Sequence, residues 1–185
     1  GEYRVLKDIE SWVGDFSIPV EIRNDDRFLC SQRDFLRWAK GRKKLRMEYF
    51  YREMRKKYNI LMKGDQPIGG KWNYDFKNRK PPKDKLHIPA PYVNKIDDIT
   101  REVMSVVAKR FSNHFGNLKP FYFAVTREQA LEVLNLFIEQ RLFNFGDYQD
   151  AMVEGEPWMY HSQISFYLNC GLLLPLECLK AAEAA

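Results

Sequence analysis

The sequence predicts a mainly α-helical fold with a helix–strand unit at its start and a long irregular loop in its first half. Apolar residues recur at helical spacing in several segments, and capping signatures precede two of these segments. Gly and Pro cluster between positions 63 and 91, which forbids a long regular element there. An apolar content of 45% argues against global disorder, because it is enough to form a core.

The first element is predicted as a helix that leads into a short strand. Residues 3–16 place apolar side chains at helical spacing, and after Pro19 the residues 20–23 alternate as a strand does. A helix–strand unit cannot bury its own faces. Residues 1–30 are therefore expected to be the end of an α/β domain whose other strands lie upstream.

Two helices and a loop are predicted for residues 31–98. Ser31 offers an N-cap hydroxyl and Asp34 follows three residues later, so a helix is expected from there to Gly41. A second helical pattern runs over 45–58. The loop at 63–91 is long for a compact domain and is interpreted as an interdomain linker.

Residues 99–185 are predicted to contain only helices and loops. Helices are expected at 99–111, from the capping box at Thr126 to Leu142, at 161–171 and from Pro175 to the end. Gly146 is expected at a helix C-terminus. The chain starts without Met and ends inside a helical pattern, which predicts a piece of a longer protein.

Charge and cysteine content narrow the function classes. Residues 1–80 carry 20 Lys and Arg against 12 Asp and Glu, so a polyanion would be attracted to the first half. Cys30, Cys170 and Cys178 are far apart and lack zinc-ligand spacing, so a reducing compartment and no metal site are predicted. Neither a membrane span nor a signal peptide is predicted.

A first candidate site is the segment from His161 to Ser165, at the start of a predicted helix. Hydroxyls and free N–H groups at such a position suit an anion such as pyrophosphate. An N-cap without any ligand explains the same residues. The residue pattern leaves both interpretations open.

Two basic segments are candidates for nucleic-acid contact. The loop from Lys71 to Lys80 alternates aromatic and basic residues, which suits phosphate contacts and base stacking, or else solvated charges anchored by a buried Trp72. Arg42, Lys43 and Lys44 form a compact positive cluster. That cluster is either a solvated face or a phosphate-binding face.

Four stretches together resemble a known family. They read RFLCSQRDFLRWAKGRKKLRMEYFYREMRKK, GGKWNYDFKNRKPP, FNFGDYQDAM and YHSQISFYLNCGLLLP. These strings are similar to the deoxyribodipyrimidine photolyase-related group, the bacterial (6-4) photolyases and cryptochromes that carry an iron–sulfur cluster. The resemblance runs over essentially the whole chain.

The resemblance implies a specific architecture. The chain would hold the C-terminal end of a Rossmann-like antenna domain (1–30), helices and the long interdomain linker loop (31–98), and the first helices of an all-α FAD-binding domain (99–185). It also implies site residues. The FAD phosphates would contact the segment formed by His161, Ser162, Gln163, Ile164 and Ser165, although His161 replaces the more usual hydroxyl.

The resemblance further implies a partner, which is damaged DNA. Arg79 is the foremost candidate contact, because the linker loop of family members lies near the lesion. The remaining DNA-binding candidates are Asn78, Lys77 and Lys71 in the same loop, and Arg42, Lys43 and Lys44 in the basic cluster.

The activity implied is light-driven repair of (6-4) photoproducts by electron transfer from reduced FAD. One alternative is a cryptochrome-type photoreceptor without repair activity. Another, outside the family, is a basic helical nucleic-acid-binding module without cofactor. The resemblance places a 4Fe-4S cluster and a lumazine antenna in the full-length protein but not on this chain. A monomer in the bacterial cytoplasm is expected, with this chain inactive alone.

Overall fold

The computed structural model describes residues 3–82 and 86–185. Positions 1 and 2, in the predicted α/β remnant, and positions 83–85, in the predicted linker, lie outside the described residues. The described chain forms two compact units. One comprises the residues up to Asn73 together with Leu174–Ala184, and the other comprises Tyr74–Leu173.

The predicted mainly helical fold is confirmed. The helices are α1 Tyr3–Trp12, α2 Gln32–Ala39, α3 Met47–Tyr58, α4 Asp98–Arg110, α5 Arg127–Gln140, α6 Leu142–Tyr148, α7 Ser165–Cys170 and α8 Pro175–Ala184. Short 3₁₀ helices lie at Val13–Asp15 and Asp75–Lys77. The strands β1 Met62–Lys63 and β2 Gln66–Pro67 pair antiparallel across a turn in which Gly64 has a φ of 59°.

In the first unit, the helix predicted for 3–16 is present but the strand predicted for 20–23 is wrong. Residues 16–30 form neither helix nor strand. A strand needs a neighbour for its N–H and C=O groups, and strands among the described residues occur only in the β1–β2 hairpin. The apolar side chains behind the strand prediction are exposed, with Val20 at 37% and Ile22 at 41%.

Helix α2 begins as predicted, with Ser31 as its N-cap. The Ser31 hydroxyl accepts a hydrogen bond of 3.1 Å from the backbone N–H of Asp34. The helix ends at Ala39, and Gly41 then takes a φ of 76°, which favours glycine. Phe35 and Trp38 pack on Phe50 of α3, with ring centroids 5.4 and 5.0 Å apart, so α2 and α3 share an aromatic contact.

A buried arginine fixes the chain after α3. Arg55 is 9% exposed and donates hydrogen bonds to the carbonyl oxygens of Ile60 at 3.1 Å, Leu61 at 2.7 Å and Trp72 at 3.3 Å. Its guanidinium therefore holds both ends of the β1–β2 segment against α3. Glu183 of α8 contacts the same segment, because its carboxylate accepts a hydrogen bond of 2.5 Å from the Leu61 N–H.

In the second unit, helix α5 begins with the predicted capping box. The Thr126 hydroxyl accepts from the Gln129 N–H, and the Gln129 side chain accepts from the Thr126 N–H. The helix ends at Gln140 rather than Leu142, and α6 follows directly. Gly146 lies inside α6, so its prediction at a helix C-terminus is wrong.

The core of the second unit is built on α5, α6 and the chain after α6. The buried residues of α5 are Ala130, Val133, Leu134 and Phe137. Tyr148, Ala151, Met159 and Tyr160 form a second buried cluster, against which Leu86 and Ile88 pack. No helix within residues 3–82 and 86–185 has the length and apolar character needed to cross a bilayer.

Candidate functional site

The segment from His161 to Ser165 is not the helix start that the sequence predicts. Helix α7 begins only at Ser165, and Ile164 occupies the N-cap position without a side-chain cap. His161 to Gln163 lie in a loop, where the His161 N–H donates to the Trp158 carbonyl at 3.1 Å. Ser162 is therefore a loop residue rather than a helix cap.

The backbone around this loop has an uncommon conformation. Met159 has a φ of 41° and Gln163 has a φ of 59°, in the left-handed region that favours glycine. Each such position costs about 1 kcal/mol or more and persists only when its surroundings hold it. Met159 is held in this way, because it is only 2% exposed.

A cavity of about 300 Å³ lies beside this loop within the second unit. One wall is the chain at residues 90–93, where the predicted linker ends, and a second wall is one side of α5. Ser162 and Gln163 complete the lining, together with Arg141. The structure thus brings two of the five predicted cofactor residues to a cavity large enough for part of a ligand.

Arg141 is the charged residue that organises this cavity. It is 4% exposed and donates hydrogen bonds to the carbonyl oxygens of Met159 at 3.1 Å, Pro89 at 3.0 Å and Ala90 at 2.6 Å. Burial lowers the pKa of its guanidinium below its ordinary value. Because its hydrogen-bond partners among the described residues are carbonyl oxygens, this buried cation gives this wall of the cavity a positive character.

The cavity also contains an unsatisfied donor. The side-chain nitrogen of Gln163 is buried and makes no hydrogen bond to any described residue. Such a group is uncommon in native proteins and indicates a missing partner. A phosphate, hydroxyl or carbonyl oxygen of a ligand would satisfy it, so the residues present fit a phosphorylated cofactor.

A second candidate site lies in the linker, where residues 78–80 run beside residues 147–150. The Lys80 N–H donates to the Asp147 carbonyl at 2.9 Å, and the Asp150 N–H donates to the Asn78 carbonyl at 3.0 Å. Side chains reinforce this pairing. Lys80 Nζ lies 2.5 Å from Asp147 Oδ2, and Asn78 Nδ2 lies 2.9 Å from Asp150 Oδ2.

Arg79 projects from this paired segment. Its Nη2 atom lies 4.0 Å from Asp150 Oδ2, and its side chain is 76% exposed. Lys77 precedes it in the Asp75–Lys77 turn, with its ammonium 5.6 Å from the centroid of the Phe76 ring. The structure thus presents Lys77 and Arg79 at the surface, while Asn78 is half-buried.

The remaining predicted bases belong to the first unit. Lys71, Arg42, Lys43 and Lys44 are all exposed. Arg42 stacks 4.8 Å from the ring centroid of Trp38 and donates to the Trp38 carbonyl at 2.7 Å. Lys43 and Lys44 make no ion pair with any described residue.

Trp72, a buried anchor in one of the two interpretations of this loop, is half-buried in the first unit among three cations. The guanidinium of Arg52 lies 5.3 Å from its ring centroid, that of Arg55 lies 5.6 Å away, and the Lys56 ammonium lies 5.8 Å away. These cation–π contacts attach this part of the predicted linker to α3.

Sequence reasoning missed Arg141 and the acidic partners Asp147 and Asp150. Arg141 ends a helical pattern in which an exposed base is the ordinary expectation, and its burial follows from long-range packing. Asp147 and Asp150 were recognisable as a polar segment, but the sequence has no local signal for pairing across about 70 positions. Within residues 3–82 and 86–185, no cluster of three or more His, Cys, Asp or Glu is arranged to hold a metal ion.

Comparison with protein families gives one match. Residues 1–123 match the sequence model of a family described as deoxyribodipyrimidine photo-lyase-related protein. This match covers the linker and both basic segments.

Two similar proteins were found among curated sequences. A (6-4) photolyase of Agrobacterium fabrum is 50% identical over 185 residues, which are 100% of this chain and 36% of that protein. An uncharacterized protein of Acanthamoeba polyphaga mimivirus is 48% identical over 46 residues, which are 25% of this chain and 24% of that protein. The chain thus spans about a third of the length of the photolyase that it matches.

Proposed function

The chain belongs to the deoxyribodipyrimidine photo-lyase-related protein family, and on that premise we propose that it forms part of a flavin-dependent enzyme that repairs (6-4) photoproducts in DNA with light. The observation that carries the proposal is the 50% identity to a (6-4) photolyase over all 185 residues. The matched region includes both the cavity loop and the linker segment.

The proposed cofactor is FAD, held in part by the cavity of the second unit. Ser162 and Gln163 supply a hydroxyl and an unpaired amide donor, and Arg141 supplies a buried positive charge. His161, Ile164 and Ser165 position this loop at the start of α7. A volume of about 300 Å³ suits one part of a dinucleotide rather than the whole.

When bound and reduced, FAD would supply the electron for repair after excitation by light. The residues of this chain would bind and orient the cofactor. The proposed full-length protein is a monomer of the bacterial cytoplasm, and it would also carry the 4Fe-4S cluster and the lumazine antenna on residues other than these.

The proposed partner is damaged DNA. Arg79 and Lys77 are exposed bases on a segment that hydrogen bonds fix in place, which suits contact with phosphates near an extruded lesion. Asn78 adds an amide donor beside them. In the first unit, Lys71, Arg42, Lys43 and Lys44 would contact phosphates without reading sequence.

The decisive experiment is a repair assay with the full-length protein. The protein, with its flavin fully reduced, is illuminated with an oligonucleotide that contains a single (6-4) photoproduct, and restored pyrimidines are counted by chromatography. Conversion that requires light supports the proposal. Absence of conversion, with flavin absorbance and DNA binding intact, would contradict it and favour a cryptochrome-type photoreceptor.

The flavin spectrum provides a second test. Purified full-length protein without flavin absorbance would favour a nucleic-acid-binding module that lacks a cofactor. The 185-residue chain by itself is expected to retain little flavin and to be inactive, since the cavity accommodates only part of FAD.

A further inference from the structure

We infer that the carboxylate of Asp150 occupies a phosphate-binding site formed by Asn78 and Arg79, and that a backbone phosphate of DNA replaces it in the complex. This inference rests on the proposed function and deepens it. It assigns an affinity-determining role to an acidic residue on a DNA-binding surface, where an acid would otherwise only repel the ligand.

The geometry places one hydrogen-bond donor and one guanidinium near the same oxygen atom. Asn78 Nδ2 lies 2.9 Å from Asp150 Oδ2, and Arg79 Nη2 lies 4.0 Å from the same atom. Carboxylate and phosphate oxygens accept the same charge-assisted hydrogen bonds, and guanidinium groups recognise both. Asp150 therefore mimics a phosphate oxygen in this site.

The carboxylate is weakly held and accessible. The side chains of Arg79 and Asp150 are 76% and 43% exposed, and their ion pair lies at the limit of direct contact. Exposed ion pairs of this kind contribute little to stability. Exchange of the Asp150 carboxylate for a phosphate therefore costs little free energy.

The neighbouring acid has a different role. The Asp147 carboxylate accepts from the Lys80 ammonium at 2.5 Å, and the Asp147 backbone carbonyl accepts from the Lys80 N–H at 2.9 Å. These two contacts hold the linker backbone next to α6 when the Asp150 side chain is displaced. The division of roles predicts that Asp150, and not Asp147, competes with DNA.

The test is a binding cycle in the full-length protein with a fluorescein-labelled (6-4) duplex. Asp150→Asn keeps the size of the side chain and an oxygen for the Asn78 amide, but it removes the competing charge. We expect the Kd to fall about three- to tenfold at low salt, because one repulsive charge near the phosphate is removed. The gain should disappear in an Arg79→Ala background.

Glu154→Gln is the matched control, since it removes an equal charge from an exposed residue in the same loop region. An equal gain from Glu154→Gln, or a gain that survives Arg79→Ala, would overturn the inference in favour of a general charge effect. No gain from Asp150→Asn overturns it as well. If Asp150→Asn gives no gain but Arg79→Ala weakens binding, the inference fails and the proposed DNA contact of Arg79 stands. If neither Asp150→Asn nor Arg79→Ala changes binding, the proposed DNA contact is refuted as well.

Discussion

Arg141 donates a hydrogen bond of 2.6 Å to the carbonyl oxygen of Ala90, across 51 positions of the chain. The same guanidinium donates to the Met159 carbonyl at 3.1 Å. One buried side chain therefore joins the end of the linker to the loop that carries Ser162 and Gln163. In physical terms, Arg141 is a positioning residue for the candidate cofactor cavity.

Replacing Arg141 with Met should destabilise the protein and weaken FAD retention. The substitution leaves three carbonyl oxygens without their donor, and we expect a loss of about 2–4 kcal/mol in the free energy of unfolding. Urea unfolding and flavin absorbance per mole of protein measure the two effects. Arg127→Met, which removes an exposed arginine that donates to the Leu172 carbonyl, should cost far less.

Replacing Arg79 with Ala should weaken binding to damaged and undamaged DNA by a similar factor. A lost phosphate contact reduces the slope of log K against log salt by about 1. Fluorescence anisotropy across a salt series gives both quantities. Lys95→Ala is the control because Lys95 is an exposed base of the same unit. An equal effect of both substitutions would show that only net charge matters.

Removing the donors of the cavity loop should lower the affinity for FAD. Ser162→Ala and Gln163→Leu each delete one donor, and we expect a loss of up to about tenfold for each. Titration of the apoprotein with FAD, followed by flavin fluorescence, provides the measurement. Ser105→Ala, at an exposed position of α4, should leave the affinity unchanged.

The capping box of α5 should contribute measurably to stability. Thr126→Ala removes the acceptor of the Gln129 N–H, and such losses cost about 1 kcal/mol. Thr126→Ser retains the hydroxyl and should restore most of that free energy in urea unfolding. A serine variant as unstable as the alanine variant would contradict the capping role.

Local chemistry explains which parts of the fold the sequence predicts. The N-cap at Ser31 and the capping box at Thr126 depend on residues three positions apart, and both occur where they were predicted. Gly41 ends the first of these helices with a positive φ, which is also a local property.

Some wrong predictions concern features that depend on distant parts of the chain, whereas the delayed start of α7 depends on a local backbone conformation that the residue types do not fix. The pattern at 20–23 suits a strand, but no described strand pairs with it. Ser162 resembles an N-cap, yet the hydrogen bond from His161 to Trp158 and the backbone at Gln163 delay the helix to Ser165. The roles of Arg141 and Asp150 depend on partners more than 50 positions away, which local spacing cannot indicate.

The contact between α2 and α3 should depend on pH through Asp34. The Lys57 ammonium, 3.0 Å away, and the Arg37 guanidinium lower the pKa of Asp34 from 3.8 to about 2. Because the pKa is lower in the folded state, the stabilisation is fully present above pH 4 and is lost as the pH falls through 2. Carboxyl ¹³C NMR should show this midpoint, and Lys57→Gln should move it upwards. Lys63 is an exposed base elsewhere in the same unit, so Lys63→Gln should leave the midpoint unchanged. A wild-type midpoint near 3.8 would contradict the ion pair.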